Sequence, residues 1–195
     1  PEMLRQISEF QRELNEKAFE PFLDWEPKDF NKSVVVPFAE KLSGSDFGNY
    51  LRLEQFDSFN LLLKPEEKSN LNVCFGKGRE NKRKFVRPRP WYEVEVIVSK
   101  AITGLPGYPA KMTFKVVTDD GWMFDCNTNG DYSKNFRSAE GLCVLGHWIK
   151  GRLETAGVLK FGEKVTREIL QAYGTEYLKL TRTEKEGLWL LSFEK

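Results

Sequence analysis

Met112-Thr113-Phe114-Lys115-Val116-Val117-Thr118-Asp119-Asp120-Gly121-Trp122-Met123-Phe124-Asp125-Cys126 is two short β-forming runs joined by an acidic, glycine-closed turn. β-Branched and aromatic side chains fit a pleated, half-buried surface, and an Asp-Gly pair supplies the backbone conformation a hairpin turn demands. The spacing predicts strands over Met112–Thr118 and Trp122–Cys126. The same texture extends outward in both directions. Val34–Phe38, Tyr50–Phe56, Phe59–Leu63, Trp91–Val98, Tyr177–Thr181 and Leu188–Phe193 are all short β-branched or aromatic runs. Glu93-Val94-Glu95-Val96-Ile97-Val98 alternates most clearly, which puts Glu93 and Glu95 on a solvent face. Only two helices are predicted among these strands. One covers about Leu142–Glu154; the other spans Arg167–Tyr173, opened by Thr166 and closed by Gly174. Many short strands with two helices favour an open or closed barrel over a layered α/β domain, so the expected class is mainly β (α+β).

Upstream, Leu4, Ile7, Phe10, Leu14 and Ala18 recur at helical spacing between charges, predicting an amphipathic helix over Glu2–Glu20 that Pro21 and Pro27 end. The expected division is a helix and linker over 1–32 and a β domain over 33–195. The 195 residues suit one large domain, alone or with a small appendage. The first residue, Pro1, leaves open that the sequence is a fragment. No apolar run approaches the roughly 20 residues that span a bilayer, and the first twenty residues are too charged for a signal peptide. Cys74, Cys126 and Cys143 are odd in number and unpaired in pattern, as expected of thiols in a reducing compartment. The expectation is a soluble cytoplasmic protein with no membrane partner.

The formal net charge is only +1, yet it is unevenly spread. Residues 1–30 carry four basic and eight acidic side chains, whereas residues 64–100 carry ten basic and five acidic. Gly76–Arg89 alone holds seven basic side chains and one acidic one. Such a concentration suits a polyanion, nucleic-acid phosphates first, because neutralising them releases counterions. Two segments fit no helix or strand: Glu66–Pro90, which contains the basic stretch, and Asn127-Thr128-Asn129-Gly130-Asp131-Tyr132-Ser133-Lys134-Asn135-Phe136-Arg137-Ser138. Loops of that length inside a compact domain are uncommon unless functional. The second is dense in side chains suited to base edges, since Asn pairs with adenine, Arg and Lys with guanine, and Asp with cytosine. Each has a plainer reading, as a solvated charged loop or as an Asn/Asp/Gly turn. Two long polar loops in one barrel, one basic and one amide-rich, argue against coincidence.

Signals for catalysis are poor. His147 is the only histidine, and Gly146-His147-Trp148-Ile149-Lys150 lacks the His-x-Lys spacing of phospholipase D-type nucleases. Cys143 and His147 share a helix face, but nothing beside them suggests an oxyanion hole. Zinc on Cys74, Cys126, Cys143 and His147 would lack the usual Cys-x-x-Cys knuckle. Glu93, Glu95, Asp119, Asp120 and Asp125 could imitate a magnesium-binding cluster. The turn explains Asp119 and Asp120, however, and the alternating strand explains Glu93 and Glu95. No phosphate-binding loop is present. The chain is read as non-catalytic by itself, with no metal and no cofactor.

Several motifs then follow one another in a familiar order. They are Val117-Thr118-Asp119-Asp120-Gly121 with Phe124 and Cys126; Lys134-Asn135-Phe136-Arg137-Ser138; Leu145-Gly146; Lys150-Gly151-Arg152-Leu153; Val165-Thr166 with Leu170; Tyr173-Gly174; and Trp189-Leu190-Leu191-Ser192-Phe193. Together they resemble the C-terminal DNA-recognition domain of NgoFVII-type restriction endonucleases, relatives of BfiI. That domain shares its pseudobarrel with plant B3 transcription-factor domains and with the effector domain of EcoRII. The resemblance covers roughly residues 65–195. Ser69, Leu71 and Asn72 are similar to the start of the family's first arm, with Val73 and Cys74 where Trp-Gly is usual.

The resemblance implies a B3-like open seven-stranded pseudobarrel with two short helices. It also implies a wrench-like grip on duplex DNA, with arms near 66–90 and 127–138 entering the major groove from either side. In family members the nuclease is a separate phospholipase D-type domain placed before this one, so the parent protein would be a Type II restriction endonuclease. On this basis Arg79, Asn81, Arg83, Asn129, Asp131, Lys134, Asn135 and Arg137 are the expected base readers. Lys68, Asn72, Lys77, Lys82, Lys84, Arg87, Ser133, Ser138, Lys150 and Arg152 are the expected phosphate contacts. Two other classes stay open: a self-contained metal-dependent nuclease, and a module that stacks single-stranded RNA on Tyr132, Phe136 or Trp91.

Overall fold

A computed structural model describes residues 38–140 and 143–194; the helix expected over Glu2–Glu20 and all but Phe38 of the strand expected at Val34–Phe38 lie outside them. The strands are β1 (Ala39–Lys41), β2 (Gln55–Leu62), β3 (Arg79–Glu80), β4 (Val86–Arg87), β5 (Val96–Ile97), β6 (Thr113–Thr118), β7 (Trp122–Asn129), β8 (Asn135–Ser138), β9 (Tyr177–Thr183) and β10 (Leu188–Ser192). Between them lie helices α1 (Gly44–Leu51), α2 (Lys100–Thr103), α3 (Val144–Thr155) and α4 (Arg167–Tyr173), with 3-10 turns at Asn70–Phe75 and Asp131–Ser133.

The hairpin predicted around Asp119-Asp120-Gly121 sits in the middle of the sheet. β6 and β7 pair antiparallel from Thr113 opposite Asn127 to Val117 opposite Met123. Gly121 closes the turn at φ +83, its N–H donating to the Thr118 carbonyl at 3.0 Å. A left-handed residue at that position is what a three-residue hairpin loop requires. Outward from this hairpin the order is β2-β9-β10-β6-β7-β8-β5, with β1 beside the start of β7. Only the β10–β6 ladder is parallel. The result is a curled, seven-stranded half-barrel, as the B3-like expectation has it.

Inward side chains of the strands, including Phe59, Leu61, Phe114, Val116, Phe124, Phe136, Leu180 and Trp189, share one core with α3 and α4. α3 is buried from Val144 through Lys150 and again at Leu153. It lies so close to the Trp91–Val94 segment that a Cβ on Gly146 would fall 1.6 Å from the Tyr92 carbonyl oxygen. Only glycine permits that approach.

Several expected boundaries shift. Tyr50–Phe56 is not one strand, because α1 runs to Leu51 and β2 begins at Gln55. Ser43 accounts for this: its Oγ accepts the Asp46 N–H at 3.2 Å, an N-cap that outweighs the aromatic run. Of Trp91–Val98, only Val96–Ile97 forms a ladder, against β8. Glu93 is therefore not on a solvent strand face; it is 4% exposed, in a turn whose N–H donates to Pro90. The first helix, expected over about Leu142–Glu154, is described over Val144–Thr155, with Leu142 outside the described residues. The second is where it was expected, with Thr166 accepting the Ile169 N–H and Gly174 left-handed at φ +112. Both segments expected to be irregular contain paired strands. α1 and α2 add to the two helices expected.

Candidate nucleic-acid interface

The basic stretch folds as a small hairpin, β3 against β4, with Arg79 opposite Arg87 and Glu80 opposite Val86. Its tip is closed by Asn81, whose N–H donates to the Phe85 carbonyl at 2.9 Å. The Asn81 side-chain oxygen accepts from the N–H groups of Arg83 (2.8 Å) and Phe85 (3.0 Å). Lys84 takes the left-handed position at φ +62. At the root, Glu93 Oε1 accepts from Arg79 Nη2 at 2.7 Å and Arg89 Nη1 at 2.9 Å, while Arg89 Nε donates to Lys77 O at 3.0 Å. One buried carboxylate thus pins both strands of the arm. Lys82, Arg83, Lys84 and Arg87 are exposed, and their charged groups have no ion-pair partner among the described residues.

The amide-rich stretch is the outer end of the β7–β8 hairpin. Asn127 stands opposite Arg137 and Asn129 opposite Asn135. Burial alternates along both strands: Phe124, Cys126, Thr128, Phe136 and Ser138 point inward, and Asp125, Asn127, Asn129, Asn135 and Arg137 share the half-exposed face. Asn129 Nδ2 is 3.4 Å from Asn127 Oδ1, and Lys115 on β6 pairs with Asp125 at 2.9 Å. Arg137 has no ion pair or side-chain hydrogen bond among the described residues.

The hairpin tip is unusual in its backbone. Tyr132 and Ser133 are both left-handed, at φ +59 and +56, a conformation that costs about 1–3 kcal/mol for each non-glycine residue. The loop before β6 holds it: Lys111 N–H donates to Ser133 Oγ at 3.0 Å and Tyr108 OH to Ser133 O at 3.4 Å. Tyr132 stays 64% exposed, with Lys100 Nζ 4.3 Å from its ring centroid.

Both arms leave the same end of the sheet. β5 flanks β8, and the 3-10 turn that precedes the basic hairpin binds β5 directly: Ile97 N–H donates to Asn70 Oδ1 at 3.2 Å and Glu95 N–H to Asn70 O at 3.3 Å. Val98 N–H reaches Lys134 O at 2.7 Å.

The expected site residues divide accordingly. Arg83, Asn129, Asp131, Lys134, Asn135 and Arg137 lie on the arms with exposed or half-exposed side chains, and Arg79 does too, though one end of its guanidinium is held by Glu93. Asn81 lies at the exposed tip of the basic arm, with its side-chain oxygen engaged by the turn, whereas a bidentate adenine contact uses that oxygen. Among the phosphate candidates, Lys68, Lys77, Lys82, Lys84 and Arg87 are exposed. Lys150 is fully buried: its Nζ donates to the Trp91 carbonyl, lies 4.5 Å from that ring's centroid and 3.7 Å from Cys74 Sγ, and burial lowers its pKa. Asn72 is buried as a clamp, donating to Val165 O at 2.7 Å and accepting from Val165 N–H at 2.8 Å. Ser133 and Ser138 are buried as well, and Arg152 is spent on Asp119 and the Tyr173 hydroxyl. Lys150, Asn72, Ser133 and Ser138 stand behind the surface that a phosphate could touch, whereas Arg152 is part-exposed and lies outside both arms.

Asn127, not among the expected site residues, shares the half-exposed face with Asn129, Asn135 and Arg137. In the sequence this shows as the two-residue spacing to Asn129, opposite the same spacing from Asn135 to Arg137. The acidic turn has a structural task. Asp119 accepts from Arg152, Ser192 Oγ (3.0 Å) and Phe193 N–H (2.7 Å), and Asp120 from Thr118 Oγ1 (2.6 Å) and Trp148 Nε1 (2.8 Å). Among the described residues no three His, Cys, Asp or Glu side chains are grouped as a metal site would need. A cleft of about 420 Å³, lined in part by Asp120, Trp122, Trp148, Arg152 and Tyr173, contains no residue of either arm.

Residues 51–184 match the family model described as the NgoFVII C-terminal B3-like DNA-binding domain. The chain belongs to this family. DNA is the partner that membership in the NgoFVII-type family implies, and the match runs from the end of α1 through β9, so it includes both arms. No curated protein sequence matches the chain. No helix among the described residues is long and apolar enough to cross a membrane.

Proposed function

We propose that this domain reads a specific duplex DNA sequence in the major groove, as the recognition part of a restriction endonuclease whose nuclease is a separate domain. The observation that carries this reading is the paired face Asn127–Arg137 and Asn129–Asn135. A ladder fixes the spacing of these four side chains, and a two-stranded β-ribbon fits a major groove about 12 Å wide. Arg137 suits a bidentate contact to guanine, and Asn127 and Asn129 suit adenine. Lys134, Asp131 and Asn135 extend that surface, while Arg79 and Arg83 serve it from the other arm. Lys68, Lys77, Lys82, Lys84 and Arg87 grip phosphates, fixing register without reading sequence.

The division of labour is testable by titrating variants against a selected site and a random duplex. Arg137→Ala should lose about 1–3 kcal/mol on the selected site and far less on the random one. Lys82→Ala should weaken both alike and lower the salt slope by about one. Equal losses on both duplexes for Arg137→Ala would reject this assignment.

A further inference from the structure

Resting on the two-arm reading, we propose that Phe85 is a specificity residue whose ring packs against the C5 methyl group of one thymine in the recognised site. Phe85 is 52% exposed at the tip of the basic hairpin, and its ring has no aromatic or cation contact among the described residues. A single exposed apolar side chain is ordinary. Its company is not.

Phe85 is held opposite Asn81 by two hydrogen bonds, two positions beyond the Arg79–Arg87 pair. Residues two apart on a strand share a face, so Phe85 shares its face with Arg87 and with Arg79 across the ladder. Like charges directly opposite destabilise a ladder. Glu93 takes one end of Arg79, and Arg87 has no ion-pair partner among the described residues. This face therefore favours a polyanion, and it presents that polyanion with an aromatic ring on the same ladder face as two arginines. Along a major groove the strongly apolar feature is the thymine C5 methyl, which no other standard base carries. Tyr132, the aromatic residue at the other tip, differs because Lys100 already covers one face of its ring.

The test uses the site selected from a random duplex library. Each thymine is replaced in turn by deoxyuridine, which removes only the methyl and keeps base pairing. Wild-type protein should lose about fourfold in affinity at one position, the worth of one buried methyl-sized group. Phe85→Ala should bind the thymine duplex less tightly and be indifferent to that exchange; Phe85→Leu, which keeps an apolar contact, should retain part of the response. A selective wild type that tolerates every uracil exchange, a selected site without thymine, or a Phe85→Ala variant that responds as wild type does would each overturn the assignment of Phe85 while leaving the two arms in place. A wild type without any duplex selectivity would overturn both.

Discussion

His147 lies inside α3, stacked on Tyr92 with ring centroids 3.6 Å apart and 23° between the planes. Burial, with Lys150 adding to it, drives its pKa down to about 3, against about 6.5 in an unfolded chain. Below about pH 6.5 the unfolded chain takes up a proton that the native state refuses. Stability is therefore complete above that pH and falls towards pH 3, at about 1.4 kcal/mol for each unit. Urea melts between about pH 7 and pH 5, above most carboxylate titration, should show this loss, and His147→Phe should flatten it. A wild-type stability that is level across the interval would contradict the buried neutral imidazole. Lys150 carries the matching lesson about legibility. A lysine on a helix is almost never fully buried unless paired, so sequence places it outside. Here α3 is covered on nearly all sides, and the ammonium finds the Trp91 carbonyl and ring instead. Gly146, quoted as part of a family motif, has its reason in the same contact, since no side chain fits against Tyr92.

At the scale of elements, the two arms were legible as places but not as structures. Their charge and amide content marked them out, whereas Asn, Asp and Gly are poor strand formers and concealed the ladders. What makes 127–138 a hairpin is the alternate burial of Cys126, Thr128, Phe136 and Ser138, a property of the partner surface rather than of local propensity. In the basic arm the decisive contacts are long-range: Glu93, read as a solvent-face residue, holds Arg79 and Arg89 together. Glu93→Gln should loosen that root. Amide exchange at Asn81 and Lys84, whose N–H groups close the hairpin, should accelerate about tenfold for each 1.4 kcal/mol lost, while β6 and β9 keep their protection. Unchanged exchange in the arm would mean that the hairpin holds without its carboxylate. The second helix, in contrast, was legible to the residue, because Thr166 and Gly174 act locally.

Across the whole molecule, a half-barrel sheet keeps both arms at its β8–β5 end, and the Asp119-Asp120-Gly121 turn ties the central hairpin to α3 and to the end of β10. The mainly β class and the central hairpin were readable because short alternating runs and a turn signal agree. The pairing order was not, since a parallel β10–β6 contact joins strands some seventy residues apart and leaves no local mark. The proposed function is sequence-specific recognition of duplex DNA through the Asn127–Arg137 face. It is tested most directly by selecting binding sites from a random duplex library with wild type and Arg137→Ala in parallel. Wild type should enrich one motif, and the variant should lose preference at a single base pair. An unenriched library, or a motif identical in both proteins, would contradict it.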